Sequence, residues 1–232
     1  MTVRVGTSGY NYPEWRGSFY PADLPARQMF AYYAARLGTV EINATFYRMP
    51  TPKTVAGWAE ASPPGFVFVL KAPQRITHFA RLRDVDEPLR FFCDTARLLG
   101  DRLGPLLFQL PPNFKKDTGR LADVLVQIPP ELRSAWEFRH ESWFADDVYE
   151  RMRARNAALC IADTEDGTTP AVATADFGYL RLRAVDYTDA DLDRWVQTIR
   201  TVGAAWRDAF VFFKHEESGS GPELAARFSA RL

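Results

Sequence analysis

The side chains best suited to chemistry in this chain stand where short apolar segments end. A strand that is buried on both faces reads as a run of branched and aromatic residues, so a polar residue that closes such a run lies where the strand meets solvent or a ligand. The closing residues are Ser8, Glu41, Asn43, Lys71, Gln109, Glu137, Arg139, Asp163, Arg181, Lys214 and His215. If the strands are parallel, these residues surround a single site.

Several of these residues stand two positions apart, and alternation along a strand places such partners on the same side. The pairs are Glu41 with Asn43, Glu137 with Arg139, and Arg181 with Arg183. Because an ionised carboxylate costs several kcal/mol to bury unless it is paired, Glu41 and Glu137 are expected to face the cations of the set. The set reads either as acid–base machinery or as a structural ion-pair network, and both interpretations stay open.

Cations outnumber acids in this set, which predicts an anionic ligand. Lys71, Arg139, Arg181 and Lys214 stand against Glu41, Glu137 and Asp163. A carboxylate or phosphate on the ligand would neutralise the surplus, and arginine binds both groups through paired hydrogen bonds. Aromatic residues of the intervening loops include Tyr10, Trp15, Tyr47 and Trp143. Their rings either stack on the ligand or form apolar clusters that support the loops.

Metal and nucleotide chemistry have weaker support in the sequence. His140 and His215 lie beside strand ends, where they could carry protons or bind a divalent metal together with a carboxylate. The chain has no HxH or HExxH spacing, so we expect no metal and no other cofactor. The glycines around Ser8 match neither the Walker pattern nor the dinucleotide-binding pattern, so neither an NTP nor NAD is expected.

Strands and helices alternate along the whole chain. Strands are predicted at 2–6, 39–42, 66–70, 105–110, 135–138, 158–162, 178–182 and 209–213, and helices at 27–37, from Pro52, at 88–100, 121–127 and 147–155, from Asp189, and at 222–232. Repetition of this unit predicts an α/β fold, a single TIM-type (β/α)8 barrel over residues 1–232, rather than an open doubly wound sheet. The interval 164–177 lacks a helical pattern, so one covering helix is expected to be missing or shortened.

Composition excludes several classes of partner. The 29 basic residues balance the 29 acidic ones, so no net field attracts nucleic acid or a membrane surface. Two cysteines are typical of a protein in a reducing compartment, and no apolar stretch approaches the roughly 18 residues of a membrane span. We therefore expect a cytoplasmic protein with no membrane partner.

Ordered motifs carry a resemblance to a known family. They are Gly6-Thr7-Ser8-Gly9-Tyr10 with Trp15, Phe19-Tyr20-Pro21, and segments 40–47, 107–112, 136–143 and 179–182. Together they resemble the domain-of-unknown-function 72, or YecE-like, family over essentially the whole chain. The resemblance implies a TIM barrel and a shared pocket of Glu41, Asn43, Tyr47, Gln109, Glu137, Arg139, Trp143 and Arg181, without implying a reaction. The chain departs from the family pattern at Arg183 and Lys214, and both departures add positive charge.

The leading hypothesis is an enzyme that acts on an anionic, ring-containing small molecule, as a hydrolase of phosphate bonds or as an isomerase. Glu41, Glu137 and His215 would transfer protons, Asn43 and Gln109 would donate to a developing oxyanion, and Lys71, Arg139 and Arg181 would hold the anion. The expected substrate contacts also include Ser8, Tyr10, Trp15, Tyr47, His140, Trp143, Asp163 and Lys214. The alternatives are a barrel that binds or cleaves nucleic acid, which would follow from fold analogy alone, and a non-catalytic ligand-binding barrel.

Overall fold

Parallel strands close into a barrel in the computed structural model, which describes residues 1–214 and 219–232. The strands are β1 (Thr2–Ser8), β2 (Thr39–Ile42), β3 (Val67–Lys71), β4 (Leu103–Gln109), β5 (Ser134–Glu137), β6 (Ala158–Thr164), β7 (Gly167–Thr168), β8 (Phe177–Leu182) and β9 (Asp208–Phe213). All are parallel to their neighbours except β7, which pairs antiparallel with the end of β6. The sheet closes because β5 pairs with β6 while β1 pairs with both β2 and β9. The predicted TIM-type barrel is thereby confirmed.

Helices surround this barrel. They are α1 (Met29–Ala34), α2 (Ala44–Tyr47), α3 (Pro52–Ala61), α4 (Asp86–Ala96), α5 (Thr118–Gln127), α6 (Asp146–Ala154), α7 (Asp189–Val202) and α8 (Ser220–Ser229). A π-helical turn, Arg75–Phe79, follows β3, and 3-10 turns occur at Pro13–Trp15, Ala26–Gln28, Arg97–Arg102 and Glu141–Trp143. Across the described ranges, no helix combines the length and the apolar character needed to cross a membrane.

The helix boundaries follow local capping chemistry. Asp189 stands at the predicted start of α7 but does not cap it. Thr188 is the cap, because Thr188 and Asp191 form a reciprocal capping box that satisfies two backbone N–H groups. Asp117 caps α5 through the N–H of Arg120 at 3.0 Å, so this helix begins three residues before the predicted start at position 121. The predicted helix at 27–37 is shorter than expected, since its first turn is a 3-10 turn and α1 ends at Ala34.

Side chains pack in two layers because alternate strand residues point to opposite faces. The outer layer lies between the strands and the helices, and all six tryptophans belong to it or pack against it: Trp15, Trp58, Trp136, Trp143, Trp195 and Trp206. The inner layer fills the lumen with Val67, Val69, Leu107, Ala135, Ala158, Cys160, Ala162, Phe177, Tyr179, Phe210 and Phe212. The barrel is therefore a packed core rather than a pore.

The chain between β6 and β8 contains no helix, as predicted for the interval 164–177. The short hairpin of β7 and an extended segment take its place. Thr174 fixes that segment, because its hydroxyl accepts a hydrogen bond from the N–H of Leu159 at 2.7 Å and donates to the carbonyl of Ala157 at 2.7 Å. One side chain thus satisfies two backbone groups beside the barrel edge that a helix would otherwise cover.

Candidate active site at the mouth of the barrel

A buried ion-pair triad lies at the carboxyl end of the lumen. Arg181 extends from β8 between Glu41 of β2 and Glu137 of β5, with Nη2 at 2.8 Å from Glu41 and Nη1 at 2.5 Å from Glu137. The side chains of these three residues are 1%, 0% and 1% exposed. The convergence of distant strand ends that the sequence predicted therefore occurs, and we call this group the Glu–Arg–Glu floor.

The floor carboxylates are fixed by further hydrogen bonds. Glu41 accepts from the hydroxyl of Ser8 at 2.7 Å and from that of Tyr179 at 2.5 Å, in addition to Arg181. Burial alone would raise the pKa of Glu41, but the Arg181 guanidinium and the two hydroxyl groups bring it below its usual range. Glu41 is therefore an ionised acceptor whose oxygens are all engaged.

Glu137 is held in the same way. It accepts from Arg181, from Nε2 of Gln109 at 2.8 Å and from Nε of Arg139 at 3.1 Å. Burial opposes its ionisation, but the charges of Arg181 and Arg139 outweigh burial and hold its pKa far below the usual range. This geometry argues against the proton-transfer roles predicted for Glu41 and Glu137, because a base at neutral pH needs a free lone pair and a pKa near the working pH.

A chain of hydrogen bonds leads from the floor to Lys71 at the end of β3. Gln109 donates to Glu137 through Nε2, and its Oε1 accepts from Nζ of Lys71 at 2.9 Å. The ammonium position also lies 4.0 Å from the centre of the Phe46 ring. The orientation of the Gln109 amide, and with it the position of the Lys71 amine, is thus set by the floor.

A cavity of about 520 Å³ opens above the floor, and we call it the mouth cavity. It is lined by Tyr12, Asn43, Ala44, Phe46, Tyr47, Lys71, Gln74, His78, Gln109, Arg139, Arg181, Arg183 and Lys214. Both side-chain polar atoms of Asn43 and Nε of Arg183 are buried without a hydrogen-bond partner in the described part of the chain. Unpaired buried polar groups in a cavity are what a bound ligand would satisfy.

Two titratable groups of the mouth cavity are shifted toward their neutral forms. Burial, together with the positive charge of Arg181, lowers the pKa of Lys71 to about 7. Burial and the charge of Lys71 lower the pKa of His78 to about 4. His78 shares a hydrogen bond with the Thr77 hydroxyl through Nδ1 at 2.9 Å, and its ring meets Phe46 edge-on. At neutral pH the cavity therefore contains an uncharged imidazole and an amine that is about half protonated.

A second cavity of about 380 Å³ adjoins the first one, since Arg139 and Arg183 line both. Its wall also includes Glu137, Asp166 and Thr168. The two arginines thus stand between a cationic compartment and one that contains acidic side chains.

Several predicted site residues lie elsewhere. Trp15 is buried among Tyr12, Phe19 and Tyr20, and Tyr10 packs on Phe30 and Tyr33. Trp143 stacks on Phe138 with ring centres 4.7 Å apart and donates to the carbonyl of Phe114 at 2.7 Å. These three rings form the loop-supporting clusters that were the alternative interpretation, and none lines the mouth cavity.

Asp163 and His140 also differ from the prediction. Asp163 follows Ala162, an inner-layer residue, so its own side chain points to the opposite face of β6. There it accepts from Tyr187 at 2.9 Å and from Trp195 of α7 at 3.3 Å. His140 caps the following turn by accepting the N–H of Ser142 at 3.2 Å.

The remaining predicted residues separate into two groups. Tyr47 and Lys214 line the mouth cavity, whereas Ser8 lies beneath it and is bonded to Glu41. His215 lies outside the described residues. Among residues 1–214 and 219–232, no three side chains of His, Cys, Asp or Glu converge as metal ligands would.

The structure also brings Gln74 and His78 to the mouth cavity, which sequence reasoning missed as site residues. Tyr12 and Phe46 line it too, and the sequence placed them only among the loop aromatics that either stack on a ligand or support the loops. All four come from loops and short turns after strands, where no periodic pattern specifies which side chain turns inward. The one usable signal was the scarcity of histidine, which makes each of the three positions worth testing.

Comparison with known proteins agrees with this architecture. The profile of the family described as Protein of unknown function DUF72 matches residues 4–232. The chain is 34% identical over 120 residues to the UPF0759 protein YecE of Escherichia coli K12, an alignment that covers 51% of this chain and 44% of that protein. The UPF0759 protein YunF of Bacillus subtilis 168 is 23% identical, with 95% of this chain and 91% of YunF covered.

Solved structures share the same fold. A DUF72 family protein from Thermotoga maritima superposes with a TM-score of 0.84 at 25% identity, covering 99% of this chain and 98% of that one. A DUF72 family protein from Enterococcus faecalis gives a TM-score of 0.79 at 18% identity, covering 99% and 96% of the two chains.

Proposed function

This chain belongs to the DUF72 family, and from that starting point we propose that it is an enzyme that binds an anionic small molecule in the mouth cavity and transforms it by acid–base chemistry. The observation that supports the proposal is the charge of the cavity wall. Lys71, Arg139, Arg181, Arg183 and Lys214 line it, and no carboxylate of the described residues does. A carboxylate or phosphate group on a ligand is the counter-charge that such a wall attracts.

Arg139 and Arg183 are the residues we assign to the anion. Both interact with the single carboxylate of Glu137, at 3.1 Å and 3.8 Å, and Glu137 is already paired with Arg181. Two carboxylates, Glu41 and Glu137, face the three guanidinium groups of Arg139, Arg181 and Arg183, so positive charge remains at the cavity. The planar donor arrangement of arginine suits two parallel hydrogen bonds to a carboxylate or phosphate.

Lys71 is the residue we assign to proton transfer. General acid–base catalysis is most efficient when the pKa of the group lies near the working pH, and the Lys71 amine, at about 7, meets that condition. Glu41 and Glu137 then serve as positioning residues, which hold Arg181 and Gln109 and so place the amine. His215 and the nucleic-acid alternative stay predictions.

The proposal is tested by thermal unfolding in the presence of inorganic phosphate or pyruvate, with sodium chloride at the same ionic strength as the reference. We expect a saturable rise in Tm with the anions, because a ligand that binds only the folded state stabilises it in proportion to occupancy. A double variant, Arg139→Gln with Arg183→Gln, should weaken the apparent affinity about tenfold or more, since hydrogen bonds to charged groups contribute roughly 1.5–3 kcal/mol.

The matched control is Arg97→Gln, since Arg97 is an exposed arginine that pairs with Asp94 and Glu131 on the surface and does not line the mouth cavity. This variant should bind anions as the unmodified protein does. A Tm that responds to phosphate no more than to chloride, or that responds equally in the double variant, would contradict anion binding at the mouth cavity.

A further inference from the structure

We propose that Lys71 is a nucleophile, and that its amine forms an imine with the carbonyl carbon of an anionic aldehyde or ketone held in the mouth cavity. This inference rests on the proposed function and narrows its substrate class to carbonyl compounds that carry a carboxylate or phosphate.

The first support is the position of the amine. The Lys71 side chain projects into the lumen at the end of β3, is 8% exposed and lines the mouth cavity. In the described part of the chain, its Nζ makes one hydrogen bond, to the neutral amide of Gln109, and no salt bridge. An amine without a carboxylate partner keeps a lone pair that can attack a carbonyl once a proton is lost.

The second support is the set of charges that face this amine. Arg181 of β8 and Arg139, two residues after β5, disfavour its protonation. Glu41 and Glu137 favour it, but both are already paired with Arg181. His78, Arg183 and Lys214 also line the cavity. Burial adds to the effect of the cations, so a substantial fraction of the amine is unprotonated at neutral pH.

A surface lysine, Lys116, differs from Lys71 in its surroundings. Lys116 lies on the exterior, and its amine pairs with the carboxylate of Asp147 at 3.0 Å. A lysine with the ordinary pKa of about 10.4 is unprotonated in only about one molecule in 2,500 at pH 7. Lys71 should therefore react faster than a surface lysine by a factor of about 100 or more.

Imine formation consumes one proton and releases one molecule of water. The lone pair of the unprotonated amine forms a C–N bond to the carbonyl carbon, and the carbonyl oxygen takes up protons and leaves as water. The water takes one proton from the amine and one from solvent, and the second amine proton stays on nitrogen. The product is therefore a protonated imine, formed without a change in oxidation state. The cations of the same cavity would hold the anionic end of the substrate and so present the carbonyl group to the amine.

The experiment traps the imine in the full-length protein. The protein is incubated with pyruvate, dihydroxyacetone phosphate or neutral dihydroxyacetone in the presence of sodium cyanoborohydride, which reduces an imine to a stable secondary amine. Intact mass and peptide mapping then give the number and position of adducts. We expect one adduct, at Lys71, with the two anionic probes, and an adduct rate that rises with pH through about 7 and then levels off.

Variants separate the nucleophile from the fold. Lys71→Arg keeps a positive donor for Gln109 and Lys71→Met removes it, and both should lose the adduct while unfolding cooperatively. Lys116→Met is the matched control and should retain the adduct. Peptide mapping of adducts on the unsubstituted protein, and the pH dependence of its adduct rate, require no variant. These two measurements therefore test the imine even if a substitution at position 71 prevents folding.

Two results would overturn the inference: labelling spread over surface lysines at rates equal to that of Lys71, or no labelling of Lys71 by any probe. If phosphate still raises the Tm in that case, anion binding stands and imine formation fails. Labelling of Lys71 that is equally fast with neutral dihydroxyacetone would support the nucleophile and contradict the anionic substrate.

Discussion

Arg181 stabilises the two buried carboxylates at the carboxyl end of the lumen. Among the residues that the structure describes, it is the one cation that contacts both Glu41 and Glu137, and all three side chains are removed from water. Burying charges is expensive, and their mutual attraction offsets that cost only when every partner is present. The floor is therefore sensitive to removal of its central member.

Arg181→Met should destabilise the protein by about 3–5 kcal/mol at pH 7, because it leaves two buried carboxylates without their shared partner. The loss should shrink as pH falls, because the variant protonates its unpaired carboxyls at a higher pH than the intact protein does. Below about pH 4, the pKa of a carboxyl in the unfolded chain, the intact protein also gives up stability, since its own carboxyl pKa values lie lower still. Urea unfolding at several pH values measures both effects.

Arg97→Met is the control for charge removal, because Arg97 pairs with Asp94 and Glu131 on the surface. Exposed pairs contribute about 0–1 kcal/mol, so this change should cost little. A loss of the same small size for Arg181→Met, independent of pH, would refute the structural importance of the floor.

The sequence specified the floor better than its surroundings. Glu41, Glu137 and Arg181 were predictable because each closes an apolar strand, and strand ends converge in a parallel barrel. Asp163 closes a strand as well, but a shift of one residue along β6 turns its side chain to the outer face. Which face of a strand points into the lumen depends on packing against residues distant in sequence, so the local sequence pattern does not determine it.

Polar residues at strand ends belong to the strands, and this explains part of the boundary errors. The first strand was predicted to end at position 6, but β1 continues through Ser8, and β6 continues through Thr164. Backbone pairing does not depend on whether a side chain is apolar, so the ladder extends beyond the hydrophobic run. By contrast, α2 and the turn Arg75–Phe79 were missed because they are too short to show a period.

Close contact between β1 and β2 depends on the absence of a side chain at Gly6. A Cβ at this position would lie 2.2 Å from the carbonyl oxygen of Thr39, which is backbone and cannot rotate away. Gly6→Ala should therefore separate the two strands and cost about 1–3 kcal/mol, the usual cost of overpacking. Equilibrium denaturation measures the change.

Gly57→Ala is the matched control for the same added methyl group. Gly57 lies within α3, is exposed and has open space around its Cα. Alanine should stabilise this helix by roughly 0.5–1 kcal/mol, since it has the higher helix propensity. If Gly6→Ala proved as harmless as this exposed change, the close approach of β1 to β2 would be wrong.

The closed barrel has an uneven ladder. Between β1 and β9 the pairing runs from Thr2 opposite Asp208 to Thr7 opposite Phe213, whereas β5 and β6 pair only where Ala135 and Trp136 face Ala158 and Leu159. The same side of the barrel lacks a helix after β6. The β5–β6 junction is therefore a weak seam of the sheet: its ladder is as short as that of β1–β2, and no helix follows β6 to cover it.

Hydrogen exchange should detect this seam. Amides of β5 and of the first half of β6 are expected to exchange faster than those of β1 and β9, because local opening requires fewer ladder bonds to break. Peptide-resolved exchange followed by mass spectrometry gives the order. Equal protection of both regions would show that the barrel opens only as a whole.

Basic and acidic residues are equal in number over the whole chain but not at the mouth cavity. The 29 basic and 29 acidic residues gave no indication of a ligand, yet five cations line the mouth cavity. Net charge is a sum over all surfaces, so it cannot reveal a local surplus. Only the order of residues around strand ends pointed to it.

The placement of every tryptophan outside the lumen determines what tryptophan fluorescence can detect in this protein. Tryptophan fluorescence will report whether the helices stay packed against the strands. It will respond little to a ligand that binds in the mouth cavity, because no tryptophan lines that cavity. An emission spectrum that is unchanged when a compound is added is therefore no evidence that the compound fails to bind.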